Sequence, residues 1–164
     1  MSLATLLKQI DVFFDLSPAQ LKMIAELCEE RRCQAGETIF EENSSGSELY
    51  IIALGEVEIK INPAVISPEG IPDGTPATIA TLRRGQSFGE IALVDQGLRT
   101  ATAVCIADTL LLVLPRRQLL ALCEANPPLG YHLMRNLAAD LALKIRNTDL
   151  NIREQLLYGP KPSG

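Results

Sequence analysis

Between Arg32 and Leu114 the sequence breaks into short strand-like runs separated by turn residues, and no other feature limits the fold so sharply. Thr38-Ile39-Phe40 and Leu49 to Leu54 carry the β-branched, aromatic and aliphatic side chains that pack on a pleated surface. Gly36, the cluster from Asn43 to Ser47, and Gly55 interrupt these runs. Val57, Ile59 and Ile61 alternate with Glu56, Glu58 and Lys60, the period-2 pattern of a strand with one wet face. Pro63, Pro68, Pro72 and Pro76, with Gly70 and Gly74, predict a long exposed hairpin loop over 63–76. Ala77 to Leu82 resumes the sheet. Thr102 to Ile106 and Leu110 to Leu114 predict two further strands, the second almost wholly apolar. Short strands at this spacing point to an all-β barrel or jelly roll.

Helices flank this region. Leu3, Leu6, Leu7 and Ile10 fall at helical spacing. Ser17-Pro18-Ala19-Gln20 is a helix start: Ser17 as N-cap, Pro18 at the first position, Gln20 reaching back. Leu21, Ile24, Ala25 and Leu27 then supply an inner face, with Glu26, Glu29 and Glu30 outside. Gln118 to Glu124 forms a short helix, ended near Asn126 by Pro127-Pro128, which restart a long one. In that last helix Leu137, Leu141, Ile145, Thr148, Ile152 and Leu156 share a stripe, and Leu143, Leu150 and Leu157 form a second at heptad spacing. The expected organisation is one domain over 1–164: N-terminal helices over 1–31, a β-roll over 32–115 and C-terminal helices over 116–158. At 164 residues such a domain buries a sizeable core.

The stretch from Ser87 to Thr102 carries the chemistry. Gly89 lacks a side chain, so a phosphate oxygen can approach the following backbone N–H groups. Ile91-Ala92-Leu93 can form one helical turn aimed at that anion. Arg99 offers a planar fork to two phosphate oxygens, which lysine cannot copy. Glu90 is an acceptor only and suits a ribose hydroxyl rather than a phosphate. Together these groups describe a pocket for a compact, singly charged sugar phosphate. The alternative is a strand-turn-strand in which Glu90 and Arg99 pair with each other.

Phe88-Gly89-Glu90-Ile91-Ala92-Leu93, followed after a short spacer by Arg99-Thr100-Ala101-Thr102, resembles the phosphate-binding cassette of the cyclic-nucleotide-binding domain. That family includes bacterial catabolite activator proteins, protein kinase A regulatory subunits and cyclic-nucleotide-gated channels. The step from Glu90 to Arg99 is similar to that of the kinase regulators. The resemblance implies an eight-stranded roll with flanking helices, the cassette lying between strands. It implies that Arg99 binds the exocyclic oxygens of a 3′,5′-cyclic phosphate, with backbone N–H groups near Ala92 and Ala101, and that Glu90 accepts from the ribose 2′-hydroxyl. Phe88, Gly89, Ile91 and Thr100 complete the expected ligand-binding set. A residue of the last helix is expected to cap the base, with Lys144, Arg146 and Asn147 as candidates by rough alignment. The expected ligand is cAMP. Thr100 keeps cGMP open, since a threonine there can bond the guanine amino group.

Other chemistries fail on inventory. The single histidine, His132, cannot build the several-histidine metal site of a cupin or a histidine-based nucleophilic triad, so no enzyme, metal or cofactor is expected. The four cysteines, Cys28, Cys33, Cys105 and Cys123, show no C-x-x-C spacing. A net charge of −5, with basic pairs scattered, argues against nonspecific attraction to nucleic acid. No apolar run approaches a membrane span, and the N-terminus does not read as a secretion signal, so a cytoplasmic protein is expected. Catabolite-activator relatives continue into a helix-turn-helix, whereas no recognition helix follows Tyr158, so direct DNA binding is not expected and the output is left open. The second leucine stripe predicts a parallel homodimer through the last helix. The competing reading is one broad apolar face folded onto its own domain. A ligand-gated regulatory module and a ligand-blind dimerisation module both fit the chain, and an intact Glu90 and Arg99 favour the first.

Overall fold

A computed structural model describes residues 2–62 and 75–158; the loop predicted over 63–76 lies outside them apart from Thr75 and Pro76. The chain opens with α1 (Leu3–Leu7), a 3₁₀ turn (Asp11–Phe13) and α2 (Pro18–Ala25). The start of α2 is the predicted capping box. The Gln20 backbone N–H donates to Ser17 Oγ at 3.2 Å, and the Ser17 N–H donates to Gln20 Oε1 at 2.9 Å.

Eight strands follow among the described residues: β1 (Glu29–Cys33), β2 (Thr38–Phe40), β3 (Glu48–Leu54), β4 (Glu56–Ile61), β5 (Ala77–Arg83), β6 (Ser87–Phe88), β7 (Thr102–Cys105) and β8 (Thr109–Pro115). They form two four-stranded antiparallel sheets, ordered β1-β8-β3-β6 and β2-β7-β4-β5, the expected jelly roll. Glu29 and Glu30, predicted on the outside of a helix, belong to β1 and pair with Val113 and Leu112. Long-range pairing with β8 overrides the local helical reading there, so the roll begins ahead of residue 32.

The apolar run of β3 follows from burial on both faces. Leu49, Ile51 and Ala53 share a core with Leu112 and Leu114 of β8 and with Leu7, Phe13 and Ile24 of the N-terminal elements. On the opposite face Tyr50, Ile52 and Leu111 pack between the sheets with Ile39, Val57, Phe88, Ala103 and Cys105. By contrast β4 alternates in sequence, but only Val57 is buried and the rest of the strand is half-buried on both faces.

The cassette contains one short helix, α3 (Ile91–Val94), and the chain closes with α4 (Arg116–Ala125) and α5 (Pro127–Tyr158). Leu129, Leu133 and Leu137 of α5 are buried in the helical core alongside Leu119 of α4. Asn136 Nδ2 donates to the carbonyls of Val12 and Phe14 at 3.1 and 2.7 Å, tying α5 to the 3₁₀ turn. The docking stripe stops short of its predicted length. Leu141 is half-buried, but Ile145, Ile152 and Leu156 are exposed, as are Leu143, Leu150 and Leu157. The elements packed on α5 cover only its first half, and 32 residues of helix reach about 48 Å.

Candidate functional site

A cavity of about 460 Å³ opens between the second sheet, the cassette and α5. All eight residues of the predicted ligand-binding set line it: Phe88, Gly89, Glu90, Ile91, Ala92, Arg99, Thr100 and Ala101. Lys144 and Asn147 line it from α5, while Arg146 is exposed and does not. Helical spacing explains the split. Asn147, Thr148 and Asn151 follow Lys144 at three, four and seven positions and share its face, whereas Arg146 turns away.

Arg99 is 6% exposed, and its charge is handled in two ways. Its guanidinium lies over the Phe40 ring, 4.3 Å from the centroid, and Nη2 donates to the Glu48 carboxylate and the Glu48 carbonyl, both at 3.2 Å. Glu48 is partly exposed, so its carboxylate is shared with solvent. A guanidinium has five N–H donors, and Nε is buried with no acceptor among the described residues. The group is thus fixed in place with donor capacity left over.

Glycines make this packing possible. At Gly89 (φ +79°) an added Cβ would sit 2.9 Å from both Arg99 Nη1 and the Glu48 carbonyl oxygen. At Gly46 it would sit 2.7 Å from Arg99 Nε. The Asn43 to Ser47 cluster, read from sequence only as a turn, is therefore one wall of the arginine site. The Asn43 N–H donates to the Arg99 carbonyl and the Arg99 N–H to the Ser44 carbonyl, each at 2.8 Å, which stitches that turn to the cassette.

Glu90 does not pair with Arg99, so the strand-turn-strand alternative fails. Its buried carboxylate instead accepts from Lys144 Nζ through Oε1. Lys144 also lies 3.0 Å from Asp140 Oδ2, one helical turn back. Burial alone would lower the Lys144 pKa, but the Glu90 and Asp140 carboxylates offset it and hold the ammonium above its ordinary range. The predicted turn of helix at Ile91 forms, yet the Ala92 N–H donates to the Gly89 carbonyl at 3.2 Å, so this donor is engaged within the turn itself. From the far side, Arg116 Nε donates to the Leu93 carbonyl at 3.0 Å and anchors the end of α3.

Sequence reasoning missed Phe40, Gly46, Glu48, Thr148 and Asn151. The last two were recoverable from helical spacing. The first three reach the site only through the fold.

Among the described residues no group of three or more His, Cys, Asp or Glu could hold a metal ion. The sequence profile of the family described as "Cyclic nucleotide-binding domain" matches residues 30–126. The cyclic AMP receptor protein of Thermus thermophilus is 33% identical over 146 residues, covering 89% of this chain and 62% of that protein. The crystal structure of Thermus thermophilus catabolite activator protein matches with a TM-score of 0.73 at 33% identity, covering 87% of this chain and 62% of that one. A cyclic nucleotide-binding domain from Methylobacillus flagellatus, 24% identical, matches in fold with a TM-score of 0.78 over 93% of this chain and 82% of its own. The chain thus spans less than two thirds of the length of the Thermus relative.

Proposed function

The chain belongs to the cyclic nucleotide-binding domain family, and from that premise we propose that it is a regulatory sensor module that binds cAMP and relays occupancy through α5. Arg99 takes the exocyclic oxygens of the cyclic phosphate, and Glu90 accepts from the ribose 2′-hydroxyl. The purine lies toward α5, where Asn147, Thr148 and Asn151 present polar groups to the cavity. The observation that carries this reading is the buried Arg99 guanidinium, stacked on Phe40 at the cavity wall with donors to spare. Similarity to the Thermus cyclic AMP receptor protein supports cAMP as the ligand.

The assignment covers 1–164 as one module acting by binding rather than catalysis, in the cytoplasm, without direct contact to DNA. No described helix is long and apolar enough to cross a membrane. The leucines left exposed along α5 support homodimerisation through that helix.

Isothermal calorimetry with cAMP tests the core of this reading. Arg99→Ala removes the partner of a buried phosphate charge, a loss of roughly 3–5 kcal/mol. That is on the order of a hundredfold or more in affinity. Undiminished binding by the variant would refute the assignment.

Two specific observations favour other readings. Thr100 lines the cavity, where its hydroxyl can reach a guanine amino group, and competition between cAMP and cGMP decides that point. Lys144 already satisfies Glu90, as a ligand-blind module would require. A thermal-shift series separates this case. A ligand at a hundredfold excess over Kd stabilises the fold by about 2.7 kcal/mol, and no shift with any cyclic nucleotide favours the ligand-blind module.

A further inference from the structure

We propose that Arg116 is a positioning residue for nucleotide binding: from behind the cassette it ties the turn that carries Glu90 to the wall that holds Arg99. The role rests on the sensor reading and adds to it a residue that does not line the cavity. Arg116 and Arg117 are neighbours in sequence, but Arg117 is exposed and Arg116 is half-buried. Among the described residues no carboxylate pairs with Arg116. Its guanidinium instead serves the backbone of the cassette. Nε donates to the Leu93 carbonyl at 3.0 Å, a charge-assisted bond and the one hydrogen bond which that carbonyl accepts among the described residues.

Leu93 needs such an anchor. It belongs to α3, a helix of four residues that is too short to hold its shape by its own hydrogen bonds. The Leu93 side chain packs with Leu114 of β8 and Leu119 of α4, which holds the turn down. Apolar packing is non-directional, however, and the bond from Arg116 fixes how the turn is rotated. The Leu93 N–H donates to the Glu90 carbonyl at 3.1 Å, so a fixed Leu93 also fixes the backbone of the ribose acceptor. A second arm runs from the Arg116 backbone. As the first residue of α4 its N–H has no intrahelical acceptor, and it donates to the Ser47 carbonyl at 3.1 Å. Ser47 lies between Gly46 and Glu48, both of which touch Arg99. In the adjoining ladder Pro115 pairs with Glu48. One residue thereby holds the ribose acceptor and the phosphate cation in a common frame.

The test is isothermal calorimetry with cAMP and with 2′-deoxy-cAMP on the full chain, with nucleotide-free melts to show that each variant folds. Side-chain substitutions cut only the arm to Leu93. Arg116→Met puts a methyl carbon at the position of Nε and removes the donor, whereas Arg116→Gln puts an amide nitrogen there and keeps it. Arg116→Met should weaken cAMP binding about tenfold and 2′-deoxy-cAMP binding only about twofold, because the group displaced is the one that meets the 2′-hydroxyl. Arg116→Gln should keep the wild-type affinity and the wild-type preference for cAMP. Arg117→Met should change neither. Unchanged cAMP affinity in Arg116→Met, or an equal loss for both nucleotides, would overturn the positioning role. Arg116→Gln carries the test alone if Arg116→Met does not fold: a lost preference for cAMP in that variant also overturns it. If the wild-type chain binds neither nucleotide, the sensor reading itself fails and this role falls with it; if only the variants behave otherwise than stated, the role fails and the sensor reading stands.

Discussion

The guanidinium carbon of Arg99 lies 4.3 Å from the centroid of the Phe40 ring, so the buried cation rests on an aromatic face instead of in water. Tyr50 flanks it at 5.7 Å and itself stacks on Phe88. The ring attracts the cation without offering a hydrogen bond, and thus leaves the N–H donors available. Phe40→Leu keeps an apolar side chain but removes the π-face. It should weaken cAMP binding by about 1 kcal/mol. That is roughly fivefold in affinity by calorimetry. An unchanged Kd would show that the ring only fills space.

Two glycines separate the site from the scaffold. Gly46→Ala would place a methyl 2.7 Å from Arg99 Nε and 2.8 Å from Nη2, against a side chain already pinned by Glu48 and Phe40. It should cut cAMP affinity while shifting the melting temperature little. Gly55 has φ +99°, and a Cβ there would meet Thr109 Oγ1 at 2.4 Å and the Asp108 carbonyl oxygen at 2.7 Å, both away from the cavity. Gly55→Ala should destabilise the fold by about 2 kcal/mol or more, read by thermal melting, because a left-handed conformation is strained for any L side chain and backbone cannot give way. Its folded fraction should still bind cAMP normally. The reverse pattern would mean that the two turns have been assigned the wrong roles.

The contrast between these positions shows how far the sequence could be read. The cassette was legible because its parts are close in the chain: Gly89, Glu90 and Ala92 sit in one turn, and Arg99 follows within the same loop. The roll was legible from period-2 alternation in β4 and from the continuous apolar runs of β3 and β8, which signal burial on both faces. What escaped was set by the fold alone. Glu48 meets Arg99 only because β3 runs beside the cassette, and Lys144 meets Glu90 only because α5 returns across the cavity. The extent of docking along α5 was also invisible, since a stripe records which face is apolar and not how far a neighbour extends.

Two cysteines set an alkaline limit on stability. Burial pushes the Cys28 thiol up to about 12 from its ordinary 9.0. For Cys33 burial, helped by the Glu37 carboxylate beside it, likewise raises the thiol to about 12. A folded pKa above the unfolded one favours folding fully below the unfolded value, and that contribution is lost as pH rises through the folded value. Stability should therefore hold to about pH 9 and fall from there toward pH 12. Urea melts at pH 7 and pH 10 measure it. A Cys28→Ala, Cys33→Ala double variant should show a flatter decline over the same interval, and an identical decline would assign the alkaline loss to other groups.

The outer half of α5 leaves a longer apolar surface than a monomer needs. Leu143, Leu150 and Leu157 are 57%, 54% and 74% exposed at heptad spacing, and Ile152 and Leu156 on the neighbouring stripe are exposed as well. Packing onto the roll does not cover them: beyond Leu141 only Lys144 is half-buried, through its pair with Glu90, and every other described side chain of α5 is exposed. A second copy of the same helix offers the matching heptad, and burying one leucine side chain contributes roughly 1.5–3 kcal/mol. Leu150 falls at the middle of the three, so Leu150→Glu would place like charges against each other in a parallel pair and remove the central contact. Sedimentation equilibrium should find the wild-type chain dimeric at micromolar concentration and Leu150→Glu monomeric, with cAMP affinity retained because Leu150 does not line the cavity. A wild-type monomer, or a dimer indifferent to Leu150→Glu, would leave the leucine repeat to some other partner surface.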